Sequence, residues 1–289
     1  MNTQNSISIA SSAMLVELSI STWTARKLDK RVSTKVDLDN GAKTKVVNAN
    51  KNLMAGTGVL DTIVKYAANA RAWHLSQTLP WTDNGSRLLP MSNFMSYKEQ
   101  LGKLEENYSA LVDKFIVAYP NLVSAAAFQL GDLFDRNEYP DGGALKKKFK
   151  FTYSFFPVPT AGDFRIDINE EAKADIIANC NSAYEERLNN AMREAWSRLH
   201  ECLSRMSERL TDNADGSRKI FRDSLVENGV ELVDMLKHLN ITKDPALELA
   251  RKELGDAILH HDLDSLRDNS QAREVVKLKV DTILSKFNF

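Results

Sequence analysis

Few residues in this chain have the types and the spacing of a reactive or metal-binding site. His200 and Glu201 lie in a stretch with helical periodicity, as in the zinc-protease motif, but that motif needs a second histidine four positions after the first. This chain has Ser204 there, so we predict no zinc site. The pair His260 and His261 falls at a predicted helix end, where an imidazolium interacts favourably with the helix dipole, and we interpret it as a cap.

A group of carboxylates lies where a predicted strand meets a predicted helix. Asp163 and Asp167 alternate with apolar residues, and Glu170 and Glu171 follow at the helix start. Paired carboxylates that hold a divalent ion are what a nuclease would use. The same pattern is expected of a solvated strand face and of the positive end of a helix dipole. No lysine follows at nuclease spacing, so we favour the structural interpretation.

Motifs of other enzyme classes are missing from the sequence. Gly56 and Gly58 lack the length and the following lysine of a P-loop and the third glycine of a dinucleotide fingerprint. The two cysteines, Cys180 and Cys202, would lie about 33 Å apart on one helix and are interpreted as small apolar residues in a reducing cytoplasm. We predict no catalytic residue, no cofactor and no metal, and therefore a protein that is not an enzyme.

Two basic regions are candidate contacts for nucleic acid. The segment 26–51 has eight lysines and arginines against three aspartates, and 146–150 has four lysines that lead into alternating aromatic residues. Basic residues interleaved with aromatic rings are typical of single-strand binding. Here the rings fall on the opposite strand face from Lys148 and Lys150, which favours a buried core with a solvated edge. The possible contacts are Arg26, Lys27, Lys30, Arg31, Lys35, Lys146, Lys147, Lys148 and Lys150.

The strongest pattern in the chain is an apolar stripe that repeats every eleven residues between Ile177 and Leu210. Its offsets of three, four and four correspond to about 3.67 residues per turn, close to the pitch of an α-helix, so the stripe winds slowly around one long helix. We predict that this stripe is an interaction seam. Its members are Ile177, Cys180, Tyr184, Leu188, Ala191, Ala195, Leu199, Cys202, Met206 and Leu210.

A small sheet is predicted to join the two ends of a first domain, residues 1–168. Alternating apolar residues predict strands near 14–20, 149–156 and 163–168. Helical periodicity predicts helices at 23–37, 47–79, 97–118 and 122–134. Gly56 and Gly58 are a possible interruption of the second helix, and Pro120 separates the last two.

A second domain, residues 169–289, is predicted to be a long helical hairpin followed by two C-terminal helices. The stripe helix should run from about residue 169 to 210 and pack antiparallel against a return helix at 217–239. Further helices are predicted at 245–260, with Asp244 as its cap, and from residue 269 or 270 onward. The predicted fold class is therefore mainly α with a small antiparallel β-sheet (α+β), built around a long antiparallel helical hairpin with an 11-residue apolar repeat.

Composition favours an ordinary folded protein inside the cell. The 289 residues are 43% hydrophobic, and the net charge of -1 creates no overall field that would draw the chain to nucleic acid or to an anionic membrane. The first 21 residues lack the features of a secretory signal, and no apolar stretch approaches the roughly 18 residues of a membrane span. We expect a cytoplasmic protein with no membrane partner.

A set of mainly aromatic, proline and arginine positions between residues 15 and 165 carries a family resemblance that would cover most of the chain. They are Leu15, Ile20-Ser21-Thr22-Trp23, Arg26, Tyr139-Pro140, Phe149, Pro157-Val158-Pro159 and Gly162-Asp163-Phe164-Arg165. In these positions the chain resembles an uncharacterised family of bacteriophage and mobile-element proteins, known only as a domain of unknown function. The resemblance implies a phage or integrated-element origin and action in the cytoplasm of a bacterial host. It implies no catalytic residue.

Two functional hypotheses follow from these observations. The first is a non-enzymatic structural or interaction protein of a phage or mobile element, which acts through helical self-association or by docking to a partner protein. Its basis is that the stripe extends over more than thirty residues while the return helix covers about twenty-two, which leaves apolar surface near 177–188. The alternative is a nucleic-acid-binding accessory of phage replication or recombination, acting through the two basic regions.

Overall fold

Helices make up most of the structure. The computed structural model describes residues 9–83, 85–159, 170–211, 219, 222–258, 266 and 269–287. Within them the helices are α1 (Lys30–Asp39), α2 (Val59–Gln77), α3 (Phe94–Leu130), α4 (Gly142–Lys146), α5 (Glu170–Leu210), α6 (Asp223–Leu239), α7 (Pro245–Ile258) and α8 (Ser270–Lys286). The structure is 69% helical with a small antiparallel sheet, so the predicted fold class is confirmed.

The strands form two small sheets. They are β1 (Ala13–Ser21), β2 (Arg26–Leu28), β3 (Asn50–Asn52), β4 (Leu79–Pro80), β5 (Arg87–Pro90) and β6 (Lys150–Pro157). The larger sheet has the order β4-β5-β1-β6, and β2 pairs with β3 in the other. The strands predicted near 14–20 and 149–156 correspond to β1 and β6, whereas the strand predicted at 163–168 lies outside the residues that the structure describes.

The chain forms two compact units from alternating pieces of sequence. Unit 1 contains Met1–Glu17, Leu75–Tyr97 and Ser154–Phe289, and unit 2 contains Leu18–His74 and Lys98–Tyr153. These units divide the chain at other points than the predicted boundary between 168 and 169. The reason in unit 1 is that β4 packs against α5, while β5 pairs with both β4 and the first half of β1.

Unit 1 is dominated by the four helices α5 to α8. The most extensive helix contacts of α5 are with α8, and α6 packs mainly against α7. The predicted hairpin of α5 with the return helix is therefore a real but secondary contact, because α6 shares its inner face between two neighbours. The return helix also begins later than predicted, at Asp223.

A glycine allows three helices of unit 1 to meet closely. A Cβ added to Gly229 on α6 would lie 3.2 Å from Ile258 Cδ1 on α7 and 3.8 Å from Met206 Sδ on α5. An approach of 3.2 Å is tighter than most Cβ contacts, so with a larger residue the end of the Ile258 side chain has to shift.

Aromatic rings fill the core of unit 2. Trp23 lies against Phe115 and Tyr119, with ring centroids 6.4 and 6.1 Å apart, and Phe115 also packs against Phe149 at 5.7 Å. Such tilted and edge-to-face pairs are favourable beyond the area that they bury. Because Phe149 faces this core while the neighbouring lysines are exposed, the predicted sidedness of this segment is confirmed.

The helix predicted at 23–37 is wrong in its first half, over residues 23–29. Ala25 adopts a left-handed conformation with φ +51, and its carbonyl accepts a hydrogen bond of 2.7 Å from the Leu53 amide. A residue in this region cannot continue a right-handed helix. The helix α1 starts only at Lys30, where the Asp29 side chain caps it by accepting from two backbone amides.

The helix predicted at 47–79 begins about twelve residues too early. The chain first forms β3 and then turns at Gly56, whose φ of +76 suits a residue without a side chain. The helix α2 starts at Val59. Gly56 and Gly58 therefore do not interrupt a helix but precede its start, and β3 lies where the first part of the helix was predicted.

The break predicted at Pro120 is also wrong, since α3 continues through this residue to Leu130. A proline removes one backbone hydrogen bond and usually kinks or ends a helix. Here Tyr119 and Val123 are both buried on the inner face of the helix, on either side of Pro120. Packing in unit 2 therefore outweighs the local preference to stop.

In the part of the chain that the structure describes, one helical stretch, Met91–Leu133, is long and apolar enough to cross a membrane by length and composition. Of its most apolar 18 residues, 28% are buried. A core helix of a folded domain has the same composition, so the absence of a membrane partner stays a prediction.

Candidate interaction surfaces

Burial along the predicted interaction seam changes from one end of α5 to the other. Toward the carboxyl end the buried members are Ala191, Ala195, Leu199, Met206 and Leu210, and Cys202 is half-buried. Toward the amino end Ile177, Cys180, Tyr184 and Leu188 are all only half-buried. The seam is thus the core of unit 1 over its second half and a partly exposed face over its first half.

The carboxyl half of α5 is fixed by side chains that cap the end of another helix. The guanidinium of Arg198 donates to the carbonyls of Leu75, Ser76 and Thr78, at 2.9 to 3.0 Å. Arg87 also donates to Thr78, at its hydroxyl and its carbonyl. Burial and the charge of Arg198 lower the pKa of Arg87 to about 10. These contacts satisfy the last carbonyls of α2 and hold them against α5.

A second set of contacts marks where α5 leaves this core. Tyr184 packs edge-to-face on the buried ring of Trp81, with centroids 5.4 Å apart, and the guanidinium of Arg187 lies 6.0 Å from the same ring. Cation–π contacts of this kind are weak individually but orient both partners. Trp81 therefore supports α5 at about one third of its length.

The segment of α5 before this support, residues 172–183, is here called the α5 arm. None of its residues is buried. Its half-buried apolar side chains are Ile176, Ile177, Cys180 and Ala183, whose spacing places them on one face of the helix. Only Lys173 and Asp175 carry charge. The α5 arm is about 18 Å long at the normal helical rise.

The two cysteines provide a direct test of this gradient. We expect Cys180, in the α5 arm, to react with a thiol reagent in the folded protein, while Cys202 does not. Burial raises the pKa of the Cys202 thiol to about 11, so almost none of it is thiolate at mildly alkaline pH. Counting modified thiols at low micromolar concentration should give one fast thiol, and Cys180→Ser should remove it. Fast reaction of Cys202 would contradict the burial of the seam.

The first basic region folds into a small substructure within unit 2. The segment after α1 turns at Gly41, with φ +66, and runs back along the helix. Asp37 Oδ1 accepts hydrogen bonds from the amides of Val46 and Val47, and Ser33 Oγ accepts from Ala49. Two of the three aspartates in this region, Asp29 and Asp37, are therefore turned inward as backbone acceptors.

The cations of the same region face solvent. Arg26, Lys27, Lys30, Arg31, Lys35, Lys43 and Lys45 are all exposed, and we call these seven residues the α1 basic surface. Arg31 donates to the carbonyl of Asp132, which leaves its charge without a carboxylate partner in that contact. Exposed acids at Asp39 and Asp132 border the surface. The α1 basic surface is thus positive, with seven exposed cations against two bordering acids.

Lys51, the eighth cation of this region, is not part of that surface. Its side chain is 6% exposed and lies 2.7 Å from Glu138 Oε2 and 3.5 Å from Asp29 Oδ2. Burial alone would lower the pKa of Lys51, but the hydrogen bonds and charges of these two carboxylates raise it above its usual value. Lys51 also donates to the carbonyl of Leu133 at 2.7 Å, so its role is to connect three segments of unit 2.

The second basic region is separate from the first. Lys146 forms an ion pair with Asp113 on α3, and Lys147, Lys148 and Lys150 are exposed. In the first basic region, Arg31 contacts Asp132, which lies two residues after the end of α3 at Leu130. Asp113 and the end of α3 are about 25 Å apart at the helical rise. The structure therefore places the nine predicted nucleic-acid contacts in two patches of unit 2.

None of the residues with possible catalytic chemistry converges in the described part of the chain. Among those residues there is no group of three His, Cys, Asp or Glu side chains that could hold a metal ion. Asp163 and Asp167 and the pair His260 and His261 lie outside the described residues, as do the side chains of Glu170 and Glu171. Glu201 forms an ion pair with Arg205. The absence of catalysis stays a prediction.

The strongly lowered carboxyl pKa of Glu248 has a structural cause. Two hydrogen bonds from Arg251, at 2.7 and 2.8 Å, hold the pKa of Glu248 at about 2. Both residues lie on α7 three positions apart, which is the normal geometry of an ion pair within a helix. This perturbed pKa therefore needs no catalytic explanation.

One residue of the seam was not predicted from the sequence. Nor was it predicted which aspartates of the first basic region point inward. Leu203 is fully buried on α5 although it belongs to no slot of the eleven-residue repeat. Its spacing of four from Leu199 and three from Met206 is the signal that could have found it. For Asp29 and Asp37 the sequence carries no comparable signal, because Asp39 has the same chemistry and is exposed.

Comparison with protein-family models, with curated proteins and with solved structures gave no match. The resemblance to a phage and mobile-element family therefore stays a prediction, and function has to be argued from the two surfaces.

Proposed function

We propose that the protein acts by self-association through the α5 arm, as a non-enzymatic structural or interaction protein. The supporting observation is the loss of burial along one continuous apolar face, from fully buried at Leu199 to no buried residue in the α5 arm. The face extends past the helices of unit 1 that the structure describes, and a second copy of the chain completes its cover. Docking to a different protein is the alternative use of the same face.

The composition of the α5 arm suits pairing with an identical copy. With one lysine and one aspartate in twelve residues, two arms that approach each other experience little like-charge repulsion. A two-fold symmetric contact uses the same face on both copies, so Ile176, Ile177 and Cys180 become buried together. One helical face about 18 Å long is too small to bury the roughly 800 Å² per partner that is common in stable complexes. We therefore expect weak association, with a Kd in the micromolar range.

The proposed setting is the cytoplasm of a bacterial host, in a phage or mobile element. The support for this setting is the family resemblance in the sequence, and the two surfaces are compatible with it. No cofactor is part of the proposal.

The test is the molar mass in solution as a function of concentration. Wild-type protein should increase in mean mass by light scattering between low and high micromolar concentration. The variant Ile176→Asp/Ile177→Asp should remain monomeric over the same range, because two charges in a small apolar contact leave uncompensated carboxylates at the interface. Its thermal midpoint should be close to that of the wild type, since neither residue is buried.

A matched control replaces exposed apolar residues elsewhere in unit 1. Val275 and Leu278 on α8 are 45% and 60% exposed, so Val275→Asp/Leu278→Asp adds the same charge outside the α5 arm. This control should associate like the wild type. A wild type that stays monomeric at high micromolar concentration, or an arm variant that associates normally, would show that the proposal is wrong.

A further inference from the structure

The two units of the chain have opposite charge. The segments of unit 2 contain 18 lysines and arginines against 12 aspartates and glutamates, whereas those of unit 1 contain 20 against 27. The near-zero charge of the whole chain therefore hides a basic unit with a formal charge of +6. The argument from composition against an anionic partner does not apply to unit 2 by itself.

Within unit 2 the fold concentrates positive charge on one small substructure. The outer face of α1 presents Lys30, Arg31 and Lys35, while the inner face uses Asp37 and Ser33 to hold the returning segment. The Asp29 carboxylate is buried against Lys51. Two of the three aspartates of this region are thus used inside the substructure, while Asp39 stays exposed and the seven cations are left outside.

The exposed cations repel one another at a cost to stability. No ion pair found in the described residues involves Arg26, Lys27, Lys30, Lys35, Lys43 or Lys45. Like charges at neighbouring helix positions destabilise a helix by a few tenths of a kcal/mol each. A polyanion that binds across the surface removes this repulsion and releases its own counterions, so the arrangement favours a ligand with regularly spaced negative charges.

The character of the surface distinguishes between polyanions. Residues 24–52 contain no aromatic residue, so the surface offers no ring on which an unpaired base could stack. Its exposed apolar residues, Leu38 and Val46, lie together near the carboxyl end of α1 and do not form an apolar face along it. Both facts favour the phosphate backbone of a duplex over a single strand or a lipid surface.

We propose that the α1 basic surface binds the phosphate backbone of double-stranded nucleic acid without reading its sequence. Side chains from β2, from α1 and from the returning segment contact phosphates on the outside of the duplex. The separate patch at Lys147, Lys148 and Lys150 is not required for this contact. Binding is salt-dependent, since each phosphate contact releases condensed counterions.

The test is a titration of full-length protein into a labelled short duplex DNA at several salt concentrations, read by fluorescence anisotropy. Wild-type protein should bind at low salt and weaken steeply as salt increases. The variant Lys27→Gln/Lys30→Gln/Lys35→Gln should bind at least about tenfold more weakly at low salt. Its slope of log affinity against log salt should be shallower by about 0.9 for each lost phosphate contact, close to 3 in total.

A matched control removes the same charge from another part of unit 2. Lys98, Lys103 and Lys114 are exposed on α3, so their replacement by glutamine tests whether net charge alone determines affinity. This control should retain wild-type affinity and slope. Equal weakening of both variants would overturn the proposal, as would a wild type that does not bind at low salt.

Two further probes test whether a single strand or an anionic lipid surface, and not a duplex, is the ligand. A single-stranded DNA of the same sequence should bind more weakly than the duplex at equal salt. Vesicles that contain phosphatidylserine should not compete for the labelled duplex. Tighter binding of the single strand, or competition by vesicles that is lost in Leu38→Ser/Val46→Ser, would overturn the assignment to a duplex.

Discussion

Replacing Lys51 with methionine should destabilise unit 2 by about 3 kcal/mol, because a buried ion pair is broken while its carboxylates stay in place. Methionine keeps most of the apolar stem but removes the charge and all three donors. Glu138 and Asp29 then lose the cation at 2.7 and 3.5 Å, and the Leu133 carbonyl loses its donor. The measurement is urea unfolding followed by circular dichroism, compared at equal protein concentration.

A double variant and a surface control separate charge burial from other effects. Adding Glu138→Gln to Lys51→Met should recover part of the loss, since it removes one of the two uncompensated carboxylates. Lys98→Met, at an exposed position of α3, should change stability by less than about 0.5 kcal/mol. If Lys51→Met were as stable as Lys98→Met, the network would not hold unit 2 together.

The same network gives a direction for the pH dependence. The backbone hydrogen bond from Val32, together with Lys51, lowers the pKa of Asp29 below its usual value of 3.8. Asp29 therefore stabilises the folded state above that value, and its contribution is lost as the pH falls through the folded pKa.

Replacing Leu199 with alanine should destabilise unit 1 by about 3 kcal/mol. Leu199 is fully buried in the middle of the seam on α5, and removing three of its carbons leaves a cavity that the rigid surrounding helices cannot close. Leu278→Ala on α8 removes the same atoms from a side chain that is 60% exposed, and should have an effect below about 0.5 kcal/mol. Thermal unfolding of both variants would measure the difference.

The outcome of this second experiment also bears on the proposed function. Leu199→Ala should weaken folding without changing the concentration dependence of the molar mass in conditions where the protein is still folded. The Ile176 and Ile177 variant should do the opposite. Loss of association in Leu199→Ala under such conditions would mean that the buried part of the seam is itself a contact between copies.

Long-range features of the fold were predictable from sequence only where a short repeating pattern determines them. The helix α5 depends on apolar residues three and four positions apart, so the eleven-residue repeat was sufficient to find it. The end of α3 was not predictable in this way, because the local effect of Pro120 is opposed by the burial of Tyr119 and Val123. The start of α1 depends on the left-handed conformation of Ala25, which composition does not indicate.

For the candidate surfaces, too, some features were predictable from the sequence and others were not. The low charge of the α5 arm and the basic character of 26–51 are visible in the sequence. Hydrogen bonds from backbone amides decide which aspartates of that region point inward. Asp37 accepts from the amides of Val46 and Val47, and Asp29 accepts from amides at the start of α1. The partner of α5 could not be deduced either, since α6 and α8 both have apolar faces and only the tertiary structure shows that α8 is the main one.

The alternation of the two units along the chain determines the order in which they can form during synthesis. Unit 2 is complete once residue 153 has left the ribosome, whereas unit 1 begins with β1 and needs α8 before its core closes. The nascent chain therefore carries β4 without the helix α5 that packs against it, and the core of unit 1 stays open until more than a hundred further residues are translated, a situation that favours aggregation. Expressing residues 169–289 without the preceding part would leave the α5–α8 helices without β4, so a split of this protein into two autonomous fragments is expected to fail.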